Sequence, residues 1–187
     1  MKGCKALVIG GSAGSLDVLL KVLPDLRLDL SFPIIIVVHR KQGTDFLLSD
    51  LLTSKTNLKV KEVEEKEQIN PKTIYIAPSD YHLLIEKDFS FSLDYSEKVN
   101  YSRPSIDVTF QSAAEVYTNK LACLLLSGSN ADGVNGLKAV KIYDGIALAQ
   151  DPATASMGYM PEQAILKVNI DHILKVEDMA NYINSLV

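Results

Sequence analysis

Lys5-Ala-Leu-Val-Ile-Gly10, continued by Gly11-Ser12-Ala13-Gly14, decides how this chain is built. An apolar run is cut off by glycines, and from Leu16 to Leu26 apolar residues recur at helical spacing up to Pro24. The pattern reads as strand, tight turn, helix. Working outward, Pro33-Ile-Ile-Ile-Val-Val-His39 is rich in β-branched residues and lacks alternation, as a parallel strand covered by helices on both faces does. Lys120 to Leu126 reads the same way and ends in Ser-Gly-Ser-Asn-Ala-Asp-Gly. Further strands are expected at 58–62, 73–77, 146–150 and 173–174, with helices at 45–54, 106–117, 136–143, 161–166 and 176–186. Residues 82–86 and 90–94 are expected to pair around Lys87-Asp88. The fold class is α/β: a three-layer, doubly wound, mostly parallel sheet with an antiparallel hairpin or edge, and residues 1–187 read as a single domain.

The composition narrows the function. The chain has 187 residues, 47% of them hydrophobic and 22% charged, with a formal net charge of −4. That is the make-up of a globular protein with one substantial core. Only three of the 19 basic residues are arginines (Arg27, Arg40, Arg103). Few forked donors are therefore on offer for reading bases, and a nucleic-acid partner is not expected. Cys4 and Cys123 lie in or beside apolar runs outside any zinc-like spacing and read as buried reduced thiols. With no signal-peptide pattern and no apolar stretch long enough to span a bilayer, the expectation is a cytoplasmic protein without membrane insertion.

In open parallel sheets ligands sit at the carboxyl ends of the strands. Ser12 follows the first strand, His39 closes the second, and Asp132 lies in the turn after the strand ending at Leu126. The glycines near Ser12 fit neither a dinucleotide fingerprint nor a Walker loop, and His39-Arg40 stands where a ribose-binding acid belongs. A serine bracketed by glycines at a strand-to-helix turn is otherwise a candidate nucleophile, with His39 as base and Asp132 as the carboxylate that orients it. Each residue also has a plainer reading: Ser12 as a helix cap, His39 as a ring satisfied by backbone, Asp132 as a turn or cap residue. His82 and His172 fall in the hairpin and in a late loop or strand start. Arg103 is open between neutralising an acidic substrate and a structural salt bridge.

At these residues the chain resembles the catalytic domain of the chemotaxis protein-glutamate methylesterases. The resemblance runs from Val8-Ile-Gly-Gly-Ser12 through His39, Tyr75-Ile-Ala-Pro78 with Asp80 and His82, Arg103-Pro-Ser-Ile-Asp107, Leu126-Ser-Gly-Ser-Asn-Ala-Asp-Gly133 and Gln150-Asp-Pro-Ala153 to Met160-Pro161. It implies a serine hydrolase that removes methyl esters from glutamate side chains in the methylated cytoplasmic helical region of chemoreceptors and also deamidates glutamines. The nucleophile, base and orienting acid would be Ser12, His39 and Asp132, and the oxyanion hole would match the backbone at Ala13 and Ser129. No metal or other cofactor is implied. Arg40, Arg103, Tyr159 and Met160 are the candidate substrate-binding residues, although tyrosine and methionine also serve as packing fillers.

The chain departs from the family pattern in several places. Ala13-Gly14-Ser15 stands where the family has Thr-Gly-Gly after its serine. Ser129 and Asn130 replace a methionine and a glycine, and Arg40-Lys41 replaces an apolar residue and proline. Such changes retune a groove more readily than they abolish acyl transfer. The receiver domain typical of the family has no counterpart here, so the chain reads either as a stand-alone form, constitutively open or regulated by a receiver domain in trans, or as an excised domain. The competing readings are an inactive receptor-binding scaffold and a hydrolase of another ester.

Overall fold

The computed structural model describes residues 3–39 and 45–187, and of Asp45 to Leu47 the helical backbone alone. The strands are β1 (Ala6–Gly11), β2 (Ile34–Val38), β3 (Lys59–Glu62), β4 (Thr73–Ile76), β5 (His82–Ile85), β6 (Phe91–Asp94), β7 (Leu121–Leu125), β8 (Ile146–Gln150) and β9 (His172–Leu174). The helices are α1 (Ser15–Val22), α2 (Asp45–Thr53), α3 (Ile106–Tyr117), α4 (Val134–Ile142), α5 (Tyr159–Lys167) and α6 (Val176–Asn184). Seven strands form one parallel sheet in the order β3-β4-β2-β1-β7-β8-β9. The expected hairpin, β5 and β6, forms a separate two-stranded antiparallel sheet rather than an edge of the main one.

The strands without alternation prove buried on both faces, for the reason the sequence suggests. Leu7, Ile9, Ile34, Ile36, Leu124 and Leu148 point into a core closed by Val18, Leu19 and Val22 of α1 and Met179 and Ile183 of α6. Their chain neighbours Val8, Ile35, Val37, Cys123 and Leu125 point the other way, onto Ile106 and Phe110 of α3, Leu137 of α4, Met160 of α5 and Phe91 of the hairpin. The period of two along each strand thus feeds two cores with a helix layer outside each. The outer strands β3 and β9 are short and largely solvated, which limits edge pairing.

From β1 the chain moves to one side of the sheet through β2, and from β7 it moves to the other through β8. The crevice between the carboxyl ends of β1 and β7 is therefore the switch point where such sheets bind ligands. Gly10 lies on its floor because α3 packs directly on the strand: a Cβ there would stand 2.4 Å from Ile106 Cγ2 and 3.1 Å from Phe110 Cζ. One of the glycines that first suggests a nucleotide loop is thus required by helix-on-sheet packing.

Candidate active site

Ser12, His39 and Asp132 converge on that crevice. Gly11 pairs with Val38 across β1 and β2, and His39 N–H donates to Gly11 O at 3.1 Å. Ser12 and His39 are thus the next register positions on neighbouring strands, whose usual spacing is about 4.8 Å. On its other side Ser12 N–H donates to Ser127 O at 2.9 Å, just beyond β7. Ser12 is held between the ends of β2 and β7.

The turn that carries Ser12 is fixed by its own short bonds. Ser15 donates to Ser12 O from both its N–H (3.0 Å) and its Oγ (2.7 Å). Gly14 has φ 81°, a left-handed conformation that favours glycine, and it is the N-cap position of α1. Ser127 Oγ donates to Ala13 O at 2.7 Å and accepts from Met157 N–H at 3.0 Å. Its own N–H donates to Oε1 of the fully buried Gln150 at 2.9 Å. Gly128 forms a wall of the site: a Cβ there would stand 3.1 Å from Ser12 Cβ and 2.5 Å from Met160 Cε.

Asp132 is 0% exposed, and its carboxylate accepts from six donors. Oδ2 takes His39 Nε2 at 2.8 Å and Ile106 N–H at 2.7 Å. Oδ1 takes Asn100 Nδ2 and Ser105 Oγ at 2.9 Å, Asp107 N–H at 3.0 Å and Gly133 N–H at 3.1 Å. The acid therefore sits on the amides that open α3, where the helix dipole favours negative charge. Burial pushes its pKa up, but the bonds from His39, Ile106, Asn100 and Asp107 outweigh that and hold it below the ordinary carboxylate value. An ionised carboxylate only accepts, so His39 Nε2 carries the hydrogen of this bond. In the neutral ring Nδ1 is then the basic nitrogen, and among the described residues nothing bonds to it.

A second buried acid mirrors the first. Asp107, in the first turn of α3, accepts Gly136 N–H of α4 at 2.7 Å and Asn100 Nδ2 at 2.9 Å. The two helices are thus capped reciprocally, each by a carboxylate belonging to the other's start. Burial, reinforced by the charge of Asp132, holds the Asp107 carboxyl above the ordinary value.

Among the described residues, the backbone N–H groups of Ala13 and Ser129 have no hydrogen-bond partner, and both residues are exposed. The neighbouring amides of Ser12 and Gly128 are spent on Ser127 O and Met157 O. Among the described residues, each of the two loops thus carries one backbone N–H that the protein's own hydrogen bonds leave unused.

The substrate-binding candidates separate. Tyr159 is half exposed at the start of α5. Met160, the next residue, is 0% exposed and packs into the core under Gly128, so it supports the site from beneath and does not line a groove. Arg103 donates to Asp80 Oδ1 (3.0 Å), Tyr95 O (3.1 Å) and Ser96 O (2.7 Å), and lies 3.8 Å from the Tyr95 ring centroid. Both terminal nitrogens are thus engaged inside the protein, the structural branch of the choice left open by the sequence, while the buried Nε has no hydrogen-bond partner among the described residues. Arg40 lies outside the described residues. His82 is satisfied on both ring nitrogens, by Ser105 N–H at 3.1 Å and Glu97 O at 2.9 Å, and His172 lies on the surface against Tyr182.

Sequence reasoning assigns no role to Asn100, Ser127 or Gln150, whose bonds Asn100–Asp107, Asn100–Asp132, Gln150–Ser127 and Ser127–Ala13 span 7 to 114 positions along the chain. Ser105 stands at the N-cap of α3, but its hydroxyl serves Asp132 instead of its own helix. No membrane-length apolar helix and no cluster of three or more metal-ligating side chains occurs among the described residues.

Comparison with known proteins joins this geometry to a family. A family model described as CheB methylesterase matches residues 7–183. A putative protein-glutamate methylesterase/protein-glutamine glutaminase of Leptospira interrogans is 46% identical over 176 residues, covering 94% of this chain and 91% of the relative. A Thermotoga maritima protein-glutamate methylesterase/protein-glutamine glutaminase is 36% identical over 91% of this chain but only 50% of its own length. The crystal structure of the Thermotoga maritima CheB methylesterase catalytic domain superposes with a TM-score of 0.94 at 35% identity, covering 100% of both chains. Motifs, fold and relatives agree over nearly the whole length, and the chain belongs to the CheB methylesterase family.

Proposed function

We propose that this protein hydrolyses methyl esters of glutamate side chains on chemoreceptors by acyl transfer through Ser12. The observation that carries the reading is the 2.8 Å bond from His39 Nε2 to the buried Asp132, which leaves Nδ1 as the ring's base on the residue that stands in register with Ser12 across the ends of β1 and β2. Ser12 Oγ attacks the ester carbonyl as His39 Nδ1 takes its proton, and Asp132 stabilises the imidazolium. The carbonyl oxygen becomes an oxyanion that accepts from the Ala13 and Ser129 N–H groups. One such donor is worth about 2.7–4 kcal/mol in the transition state. Collapse of the intermediate breaks the bond to the methoxy oxygen, which leaves as methanol with the proton from His39. Water, deprotonated by His39, then attacks the acyl-enzyme and releases the glutamate carboxylate and Ser12.

A glutamine side chain enters the same sequence with ammonia as the leaving group, which fits the double name its relatives carry. The test is mass spectrometry of a methylated chemoreceptor fragment before and after incubation with the protein and with Ser12→Ala. Loss of methyl mass only with the intact serine is expected. Equal loss with both, or loss with neither, would overturn the proposal.

A further inference from the structure

We propose that the Asn100–Tyr101 turn recognises the polypeptide around the target side chain, with Tyr101 as the contact residue and Asn100 as the anchor that fixes it beside the catalytic carboxylate. The inference rests on the function assigned above. Val99 and Ser102 exchange backbone bonds, Val99 N–H to Ser102 O at 3.2 Å and Ser102 N–H to Val99 O at 3.0 Å. The two residues between them have φ 52° and 62°, both left-handed, the signature of a two-residue hairpin turn of the I′ kind. Asparagine suits the first position. The second calls for glycine, and a bulky side chain there is a genuine outlier.

Folding does not account for this tyrosine. Tyr101 is 99% exposed, so its ring gains nothing from burial to offset the backbone strain. A large apolar ring held in a strained conformation in open solvent points to a contact made with something else.

The turn is also held in place. Asn100 Nδ2 lies 2.9 Å from both Asp132 Oδ1 and Asp107 Oδ2, and Asp132 binds His39 through its other oxygen. Tyr101 Cα is one step, about 3.8 Å, from that anchor. Two residues later Arg103 is tied to Asp80, Tyr95 O and Ser96 O. An exposed aromatic pinned on both flanks loses little freedom on binding, and tyrosine recurs among residues that dominate protein interfaces. The partner it fits is an apolar stretch of main chain and aliphatic side chains flanking the esterified glutamate. A small ester carries no flanking polypeptide for it to contact, so its cleavage is expected not to depend on Tyr101.

The experiment compares the parent with Tyr101→Gly and Tyr101→Phe on two substrates, the methylated receptor fragment and p-nitrophenyl acetate. On the receptor fragment, kcat/KM of Tyr101→Gly is expected to fall about tenfold, through KM, while Tyr101→Phe keeps the parent value. On the small ester all three proteins should match. Glycine suits the turn, so the Tm of Tyr101→Gly should not drop. Equal demethylation by Tyr101→Gly and parent, or equal losses on both substrates, would overturn the role of Tyr101. A parent that cleaves the small ester but never demethylates the fragment would instead refute the glutamyl-ester function and this inference with it, and a parent inactive on both would refute the triad.

Discussion

Replacing Asp132 by asparagine removes one charge and turns one acceptor into a donor. The structure says which way the new amide will turn. With its NH2 at the Oδ1 position it faces two backbone N–H groups that cannot accept, those of Asp107 and Gly133. At the Oδ2 position it faces one, Ile106, together with the His39 ring. The second orientation is cheaper, and it forces the ring to accept at Nε2 and carry its proton on Nδ1, the nitrogen that should receive the proton of Ser12. The stability cost is one unsatisfied buried amide, about 1–3 kcal/mol. For a chain of this size that lowers Tm by about 2–4 °C per kcal/mol. The kinetic cost of a wrong tautomer is far larger, about 10⁴ in kcat where the equivalent change is known in serine proteases. Thermal unfolding and initial rates on the methylated fragment measure both. A folded Asp132→Asn protein that keeps turnover within tenfold of the parent would refute the assignment of Nδ1 as the base.

Other outcomes follow from the same contacts. Because Asp107 titrates above its ordinary value when folded, the parent should lose stability relative to Asp107→Asn as pH rises from that ordinary value through the raised one, read by urea unfolding across pH. Asp132 has the opposite sign: its stabilisation is present above the ordinary carboxylate value and is lost as pH falls through its depressed folded value. Gly128→Ala should slow turnover about 10- to 100-fold, because its Cβ presses on Ser12 Cβ even if Met160 yields; unchanged kinetics would contradict the tight wall. Gln150→Leu should cost about 1–3 kcal/mol by orphaning the Ser127 N–H, measured by denaturant unfolding. Cys4, its thiol pushed up to about 11 by burial, and the fully buried Cys123, also pushed well above its ordinary value by burial, should resist a thiol reagent at neutral pH until the protein is unfolded.

Much of the fold is legible in local pattern. The uninterrupted runs at Ile34–Val38 and Leu121–Leu125 become central strands, and α3 begins and ends at the residues its periodicity predicts. Helix starts are less visible. Gly133, with φ 94°, lets α4 begin at Val134, two residues before the apolar pattern suggests, and α5 starts at Tyr159 because proline is tolerated in a first turn. At the site, Ser12, His39 and Asp132 are findable because each ends or follows a core strand. Asn100 is not, and neither are the roles of Ser127 and Gln150, although both stand in motifs that carry the family resemblance, since their work is done by side chains reaching across loops. Met160 misleads for a related reason: its sequence neighbourhood touches the site, but the first turn of α5 rotates its side chain into the core.

The most direct test of the account is covalent capture of the nucleophile. The protein and its His39→Ala variant are treated with a fluorophosphonate, and peptide Ala6–Lys21, which holds both Ser12 and Ser15, is fragmented to place the adduct. The account predicts rapid labelling of Ser12 alone in the parent and strongly slowed labelling in the variant; labelling of a different serine, or equal rates in both proteins, would contradict it.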